Sequence, residues 1–156
     1  MPPFDPVETI NSAEIRETGE SIAELQLPSG MIPWFPNGHA DPWNHIEAAM
    51  ALDVAGLHDE AESAYQWLAD IQLENGSWHN YYLENEIEQD KIDTNCVAYI
   101  APGVLHHFLI SKDTGFLETM WGIVEPAIDY VLGQQTSRGE IIWACHSDGT
   151  PWSYAL

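Results

Sequence analysis

Residues 67–82 read WLADIQLENGSWHNYY. An amphipathic run ends at Gln72, a Glu-Asn-Gly turn follows, and Trp78, Tyr81 and Tyr82 come straight after it. The same order recurs upstream in IAELQLPSGMIPWF, at Gln26, Gly30 and Trp34. It recurs downstream in VLGQQTSRGEIIWA, at Gln135, Gly139 and Trp143. Apolar helix, Gln, Gly turn and Trp, repeated three times, form an internal repeat, and a repeat constrains the architecture before any single element does.

The segments around the repeats read as helices. Residues 7–27 place Ile10, Ala13, Ile15, Ile22, Ala23 and Leu25 at roughly helical spacing. Gly19 weakens the middle, so one imperfect helix or two short ones are expected after a loose Pro-rich lead-in at 1–6. Asp41-Pro42 then opens a second helix, because Asp is a good N-cap and Pro suits the first helical position. Its body, WNHIEAAMALDVAG, is apolar nearly all round, as in a helix buried on most sides. A third helix over 59–72 is amphipathic, with Ala61, Ala64, Tyr65, Leu68 and Ile71 on one face. A fourth over 93–110 is mostly apolar, with a kink expected at Pro102-Gly103. A fifth over 116–134 carries a stripe from Leu117 to Leu132, and a sixth begins near Pro151-Trp152.

Long Gly- and Trp-rich loops follow the odd-numbered helices and tight turns follow the even-numbered ones. Tight turns imply antiparallel neighbours, so all three aromatic loops lie on one rim. The expected fold is all-α: antiparallel helical hairpins with an inner and an outer layer, and no parallel sheet.

Composition narrows the function. Four Lys and Arg stand against 25 Asp and Glu, a formal net charge of −21. Such a surface repels phosphate backbones and anionic membranes, so nucleic acid is excluded as a partner class. The bias reads as a solvated acidic surface, with a basic partner or cationic ligand as the alternative. Cys96 and Cys145 lie far apart without Cys-x-x-Cys spacing, which fits free thiols or a single disulfide. The N-terminal residues lack the basic and apolar regions of a signal peptide, and no apolar run is long enough to span a membrane. A cytoplasmic location is expected.

At this point the chain resembles the α/α-toroid superfamily. That group includes the prenyltransferase and squalene-cyclase proteins, with Gln-x-x-x-Gly-x-Trp repeats, and the six-hairpin glycosidases. The blocks IPWFPNGHADPWNHIEAAMAL, WLADIQLENGSW and NCVAYIAPGVLHHFLISKDTGFLETMW resemble most closely an uncharacterised bacterial family labelled "prenyltransferase". The resemblance implies an incomplete (α/α)6 toroid or barrel. This chain supplies about two and a half hairpins of six, so a single partial domain is expected over 1–156. It would be the N-terminal part of a longer protein, inactive without the remaining hairpins. Fold alone does not name the reaction.

The shared rim holds the candidates. Loop one offers Trp34, His39, Asp41, Trp43, Asn44, His45 and Glu47. Loop two offers Trp78, His79, Tyr81, Tyr82, Asp90, Asp93 and Asn95, and loop three offers Glu140, Trp143, His146, Asp148 and Trp152. Sugar rings stack on aromatic faces, and paired carboxyl groups serve as acid and base or nucleophile. Asp41, Glu47 and Asp93 are therefore the expected catalytic residues. Trp34, His39, Trp43, His45, His79, Tyr81, Tyr82, Asn95 and Trp143 are the expected substrate contacts. The bland alternatives are that Asp41 and Asp93 only cap helices, and that the repeat Gln and Trp residues only tie helix ends to turns.

The resemblance also allows isoprenoid chemistry. Terpene cyclases of this superfamily carry Asp-x-Asp-Asp-Thr, and the nearest stretch here, DKIDT at 90–94, has Ile92 at the proton-donor position. An aliphatic side chain donates no proton, so that chemistry is absent. Diphosphate binding needs Lys or Arg, and only Lys91 lies near the rim. No His-x-x-x-His or Cys-x-x-Cys pair exists. His106 and His107 point about 100° apart on a helix, so no metal and no cofactor is expected; one of the two is expected to be a core histidine. The reading is a carbohydrate-active protein that hydrolyses or transfers a glycosyl unit. The alternatives are isoprenoid transfer and a non-catalytic sugar-binding or scaffold module.

Overall fold

The computed structural model describes residues 10–153. The expected lead-in at 1–6, residues 7–9 of the first helix and the last three residues of the expected sixth helix lie outside that range. Residues 151–153 inside it are not helical.

Helix α1 (Ser12–Ala23) starts at a capping box: Asn11 Oδ1 accepts from the amides of Ala13 and Glu14, and Glu14 Oε2 accepts from the Asn11 amide. Gly19 does not split it. A Cβ there would lie 2.2 Å from the Ala55 Cβ, so the missing side chain is what lets α1 approach the next hairpin closely. Helix α2 (Pro42–Val54) has the expected Asp41 cap, with Oδ1 accepting from the Asn44 amide at 3.0 Å. It packs against α1, α3, α4 and α5, which explains its all-round apolar sequence. Helix α3 (His58–Ile71) buries Ala61, Ala64, Tyr65 and Leu68, the expected face.

The expected fourth helix is two helices, α4 (Thr94–Ala98) and α5 (Ile100–Ser111). The break sits at Tyr99, one turn before the expected kink. Pro102 has no amide to donate to the Ala98 carbonyl, and its ring crowds that same carbonyl, so the disruption falls four residues upstream of the proline. Gly103 then packs closely on α2 and α3, where a Cβ would lie 2.4 Å from Ile46 Cγ2. Helix α6 (Thr114–Gly133) is capped by Asp113 and runs through Pro126 without ending. The inner helices α2 and α5 pack on each other, with α3 and α6 outside them.

The layers are helical as expected, and the long loops add short strands that were not expected. Within the long loops are two small antiparallel sheets. Strands β1 (Tyr81–Leu83) and β2 (Glu86–Gln89) form a hairpin; β3 (Ile92–Asp93) pairs with β4 (Ala144–Cys145). Together with an Ala40–Tyr82 bridge, these pairings join all three loops into the single expected rim. Their strands are too short to carry a period of two in the sequence, and they exist because the stacked hairpins bring the loops together.

The repeat is a hydrogen-bonded latch. Gln26, Gln72 and Gln135 each donate Nε2–H to the carbonyl four residues on, at Gly30, Gly76 and Gly139 (3.0 Å each). All three glycines have positive φ, +94°, +87° and +99°, a region other residues enter only with strain. The tryptophans are not equivalent, however. Trp78 is buried and donates its indole N–H to the Leu68 carbonyl, whereas Trp34 and Trp143 are exposed. Aligned on Gln, the residues six positions on are Ile32, Trp78 and Ile141, and those eight positions on are Trp34, Asn80 and Trp143. The first set anchors the latch, and the second leads toward the rim.

The core joins Ile46, Leu52, Tyr65, Leu68, Trp78, Ile92, Ile100 and Met120, each essentially inaccessible. Full burial of each large apolar side chain contributes about 1.5–3 kcal/mol. Cys96 and Cys145 are free thiols, both buried.

Candidate functional site

A cavity of about 380 Å³ opens on the rim. It is lined by Trp34, Asp41, Trp43, Asn44, Asn80, Tyr81, Asp93, Asn95 and Cys96. Seven of these (Trp34, Asp41, Trp43, Asn44, Tyr81, Asp93 and Asn95) are rim candidates named from the sequence, drawn from two separate loops and the helix starts that follow them.

Asp41 is held from several sides. Its Oδ2 accepts from the Trp34 indole at 2.6 Å and from Asn44 Nδ2 at 2.8 Å, while Oδ1 takes the cap bond. The carboxylate is therefore fixed, and Trp34 is tethered to it at the cavity wall. Trp34 also meets His39 and Tyr81 edge-on, with ring centroids 4.7 and 6.0 Å apart.

Asp93 stands at the N-cap position of α4 but makes no cap bond, which departs from the capping alternative. Its Oδ2 pairs with Lys91 Nζ at 3.1 Å, and its Oδ1 is buried without a hydrogen-bond partner. Burial pushes this carboxyl above the usual aspartate range; Lys91 pulls it back down, and the nearby Asp41 charge adds a smaller upward push. Lys91 also lies over the Trp143 ring, 5.0 Å from its centroid. Trp143 thus flanks the cavity through Lys91 rather than lining it, and its carbonyl accepts from the Thr94 amide at the start of α4.

Five expected residues are placed elsewhere. His45 is a core histidine. The Ile32 amide can only donate, so His45 Nδ1 accepts it (3.1 Å), and Nε2–H donates to the Ala64 carbonyl (2.9 Å). Complete burial lowers its pKa to about 4. The 100° turn per residue explains the miss: Asn44 faces the cavity and His45 faces the core. His79 and Tyr82 are also turned inward. The His79 amide donates to Tyr82 Oη, and both side chains line a separate cavity of about 430 Å³ with Trp67 and Leu73. Glu47 lies one turn along α2, outside the cavity, where Oε1 accepts from the Trp43 indole and the Tyr99 hydroxyl. His39 backs the site, stacked on Tyr81 at 4.5 Å and bonded to Glu88 at 2.8 Å.

Asn80 and Cys96 line the cavity and were not expected. Aligning the repeats on Gln rather than on Trp points to Asn80, which occupies the position of Trp34 and Trp143. Cys96 carries no sequence signal, and burial pushes its thiol up to about 12, so it is no ready nucleophile. As expected, one of the paired histidines is internal: His107 is fully buried and bonds Asp53 at 3.0 Å, far from the rim at the tight-turn end.

The cations do not form a diphosphate site. Arg16 pairs with Glu20, Arg138 with Glu140 and Lys91 with Asp93, while Lys112 lies beside the Phe108 ring. Among the described residues, no helix is long and apolar enough to cross a membrane.

No family model matches the chain. It is 46% identical over 136 residues to an MMP endo-(1,4)-3-O-methyl-alpha-D-mannosidase of Mycolicibacterium hassiacum. The match takes in 87% of this chain and 38% of the mannosidase. In three dimensions the chain is similar to the cellobiose 2-epimerase of Bacillus thermoamylovorans, with TM-score 0.69 and 20% identity over 90% of this chain and 41% of that one. It is also similar to an endoglucanase of glycosyl hydrolase family 8 from Klebsiella pneumoniae, with TM-score 0.61 and 13% identity over 76% and 39% of the two chains. These are a mannosidase, a sugar epimerase and an endoglucanase, and none of them supports the prenyltransferase part of the resemblance drawn from the sequence. The chain has, in part, the helical-hairpin fold of the α/α toroids.

Proposed function

We propose that the rim cavity is a carbohydrate site and that the natural-length protein cleaves glycosidic bonds within an α-linked mannose chain. The observation that carries this reading is the cavity's composition: aromatic faces of Trp34, Trp43 and Tyr81 beside two carboxyl groups in unlike surroundings. Identity with the mannosidase supports the substrate class, α-(1,4)-linked 3-O-methyl-D-mannose.

The roles follow from the surroundings. Asp93 has one oxygen without a partner and a raised pKa, so it keeps a proton to higher pH than an ordinary aspartate. It is the general acid and delivers that proton to the leaving glycosidic oxygen. Asp41, fixed by Trp34 and Asn44, is the second carboxylate: it faces the positive charge that develops at the anomeric carbon and takes a proton from the water whose oxygen bonds to that carbon as the leaving sugar departs. Trp43 and Tyr81 stack the sugar, and Asn80 and Asn95 bond its hydroxyls.

The test is turnover of a 3-O-methylmannose oligosaccharide by the natural-length protein carrying Asp93→Asn. General acid catalysis contributes about 10²- to 10⁴-fold, and a loss of that size is expected, with substrate binding retained. Wild-type turnover in the variant removes Asp93 from the chemistry. Product analysis by NMR separates hydrolysis from epimerisation; an epimerised, uncleaved product would replace the glycosidase reading.

A further inference from the structure

Two of the rings that line the rim cavity are backed in the same way. Trp43 lines the cavity and is stacked on Tyr99, which does not, with centroids 4.3 Å apart and planes 8° from parallel. Tyr81 lines it and is stacked on His39, which does not, at 4.5 Å and 23°. A glutamate outside the cavity ties each stack. Glu47 Oε1 accepts from the Trp43 indole at 2.9 Å and from the Tyr99 hydroxyl at 3.0 Å, so it holds both rings of its pair. Glu88 is a carboxylate and can only accept, so its Oε2 takes the His39 Nδ1–H at 2.8 Å and holds the backing ring alone.

Both ties cross between elements. Glu47 and Trp43 stand four residues apart on α2, and Tyr99 sits at the break between α4 and α5. His39 belongs to the first long loop and Glu88 to β2. An exposed bond between residues four apart on one helix is a small effect by itself, and Gln66 and Asp70 make one on α3. Glu47 differs in reaching a second element and in fixing the edge of a ring that lines the site. Burial and the Glu47 carboxylate push the Tyr99 hydroxyl above the ordinary tyrosine range, so it keeps the proton it donates.

We propose that Glu47 and Glu88 are positioning residues for sugar binding: neither transfers a proton, and each fixes the plane of a ring, Trp43 or Tyr81, against which a sugar stacks. The proposal rests on the carbohydrate reading of the cavity. Ordering a free side chain at the moment of binding weakens affinity by about two- to tenfold, and a ring already locked in place escapes that loss. Glu47 holds its lining ring directly, so its effect is the larger of the two.

The test measures kcat and KM of the natural-length protein on the 3-O-methylmannose oligosaccharide. Glu47→Ala is expected to raise KM about tenfold and Glu88→Ala about threefold, each leaving kcat within about threefold of wild type. In Glu47→Gln the amide oxygen still accepts both bonds, and KM, kcat and the pH profile are expected to match wild type. Added to Trp43→Ala, Glu47→Ala is expected to cost nothing further, because it acts through that ring. A kcat loss of about 100-fold or more in Glu47→Gln would make Glu47 an acid or base and overturn the role. An unchanged KM in Glu47→Ala, or a loss that adds to that of Trp43→Ala, also overturns it. Should Glu47→Ala not fold, Tyr99→Leu, which removes the stack and one donor, is expected to raise KM to a similar extent, and an unchanged KM there overturns the role. A wild type that neither binds nor cleaves the oligosaccharide overturns the carbohydrate reading and this role with it. Wild-type turnover with an unaltered KM in the variants overturns this role alone.

Discussion

Asp41 and Asp93 occupy matching places: each immediately precedes a helix, each lies at a β-pairing of the rim, and both line one cavity. Their surroundings divide the work. Asp41 accepts three hydrogen bonds, one of them the cap of α2. Asp93 accepts none from its helix and keeps a buried oxygen without a partner beside a single lysine. A helix start can thus be spent on architecture or left open for chemistry. The first helix holds its carboxylate in place, and the second leaves its carboxyl desolvated, with burial raising its pKa.

The largest expected effect separates the two helices by acid. Four residues into α2 stands His45, and four residues into α4 stands Val97, both buried. The His45 pKa is about 4 in the folded chain against 6.5 unfolded. Its stabilising contribution is therefore complete above pH 6.5 and is lost as pH falls toward 4, by roughly 3 kcal/mol in all. Urea titrations at pH 7 and pH 4 are expected to show that loss, and the His45→Gln variant is expected not to show it. A variant that retains the full acid loss would refute the assignment.

Next in size is Asp41→Ala, which removes the cap and strands the Trp34 indole and the Asn44 amide. It is expected to cost about 2 kcal/mol by chemical denaturation. Trp34→Phe keeps an aromatic ring, loses one bond to a charged acceptor, and is expected to cost about 1 kcal/mol. Asp93→Asn is expected to change stability by under about 1 kcal/mol, since it gives up one ion pair and relieves a desolvated charge. If Asp93→Asn destabilised the fold as much as Asp41→Ala, the contrast between the two residues would be gone.

The sequence showed this much because most of its signals are local. Helix periodicity, the Asp41-Pro42 start and the Gln-to-Gly turn each need only a few neighbouring residues, and each is present as read. The common rim followed from loop lengths alone. Signals that depend on a distant partner were misplaced. The strand pairs form because stacked hairpins meet, and β1 and β2 are joined without the Asn-Gly or Asp-Gly turn that marks a hairpin in sequence. Pro102 broke its helix at the carbonyl four residues back, not at its own position. His45 and Tyr82 each differ by one residue from cavity neighbours Asn44 and Tyr81, and one residue is enough to turn a side chain from the rim into the core. Aligning the repeats on Trp concealed Asn80 because Trp78 belongs to the latch.

Whether the rim is chemical as well as structural turns on Asp93. The most direct measurement is its carboxyl titration by ¹³C NMR, in the wild type and in Asp41→Asn and Lys91→Met variants. The wild-type carboxyl is expected to titrate above the ordinary aspartate value of 3.8. Removing the Lys91 charge should raise it further, and removing the Asp41 charge should lower it slightly. An Asp93 that titrates at or below the ordinary value would contradict its role as proton donor.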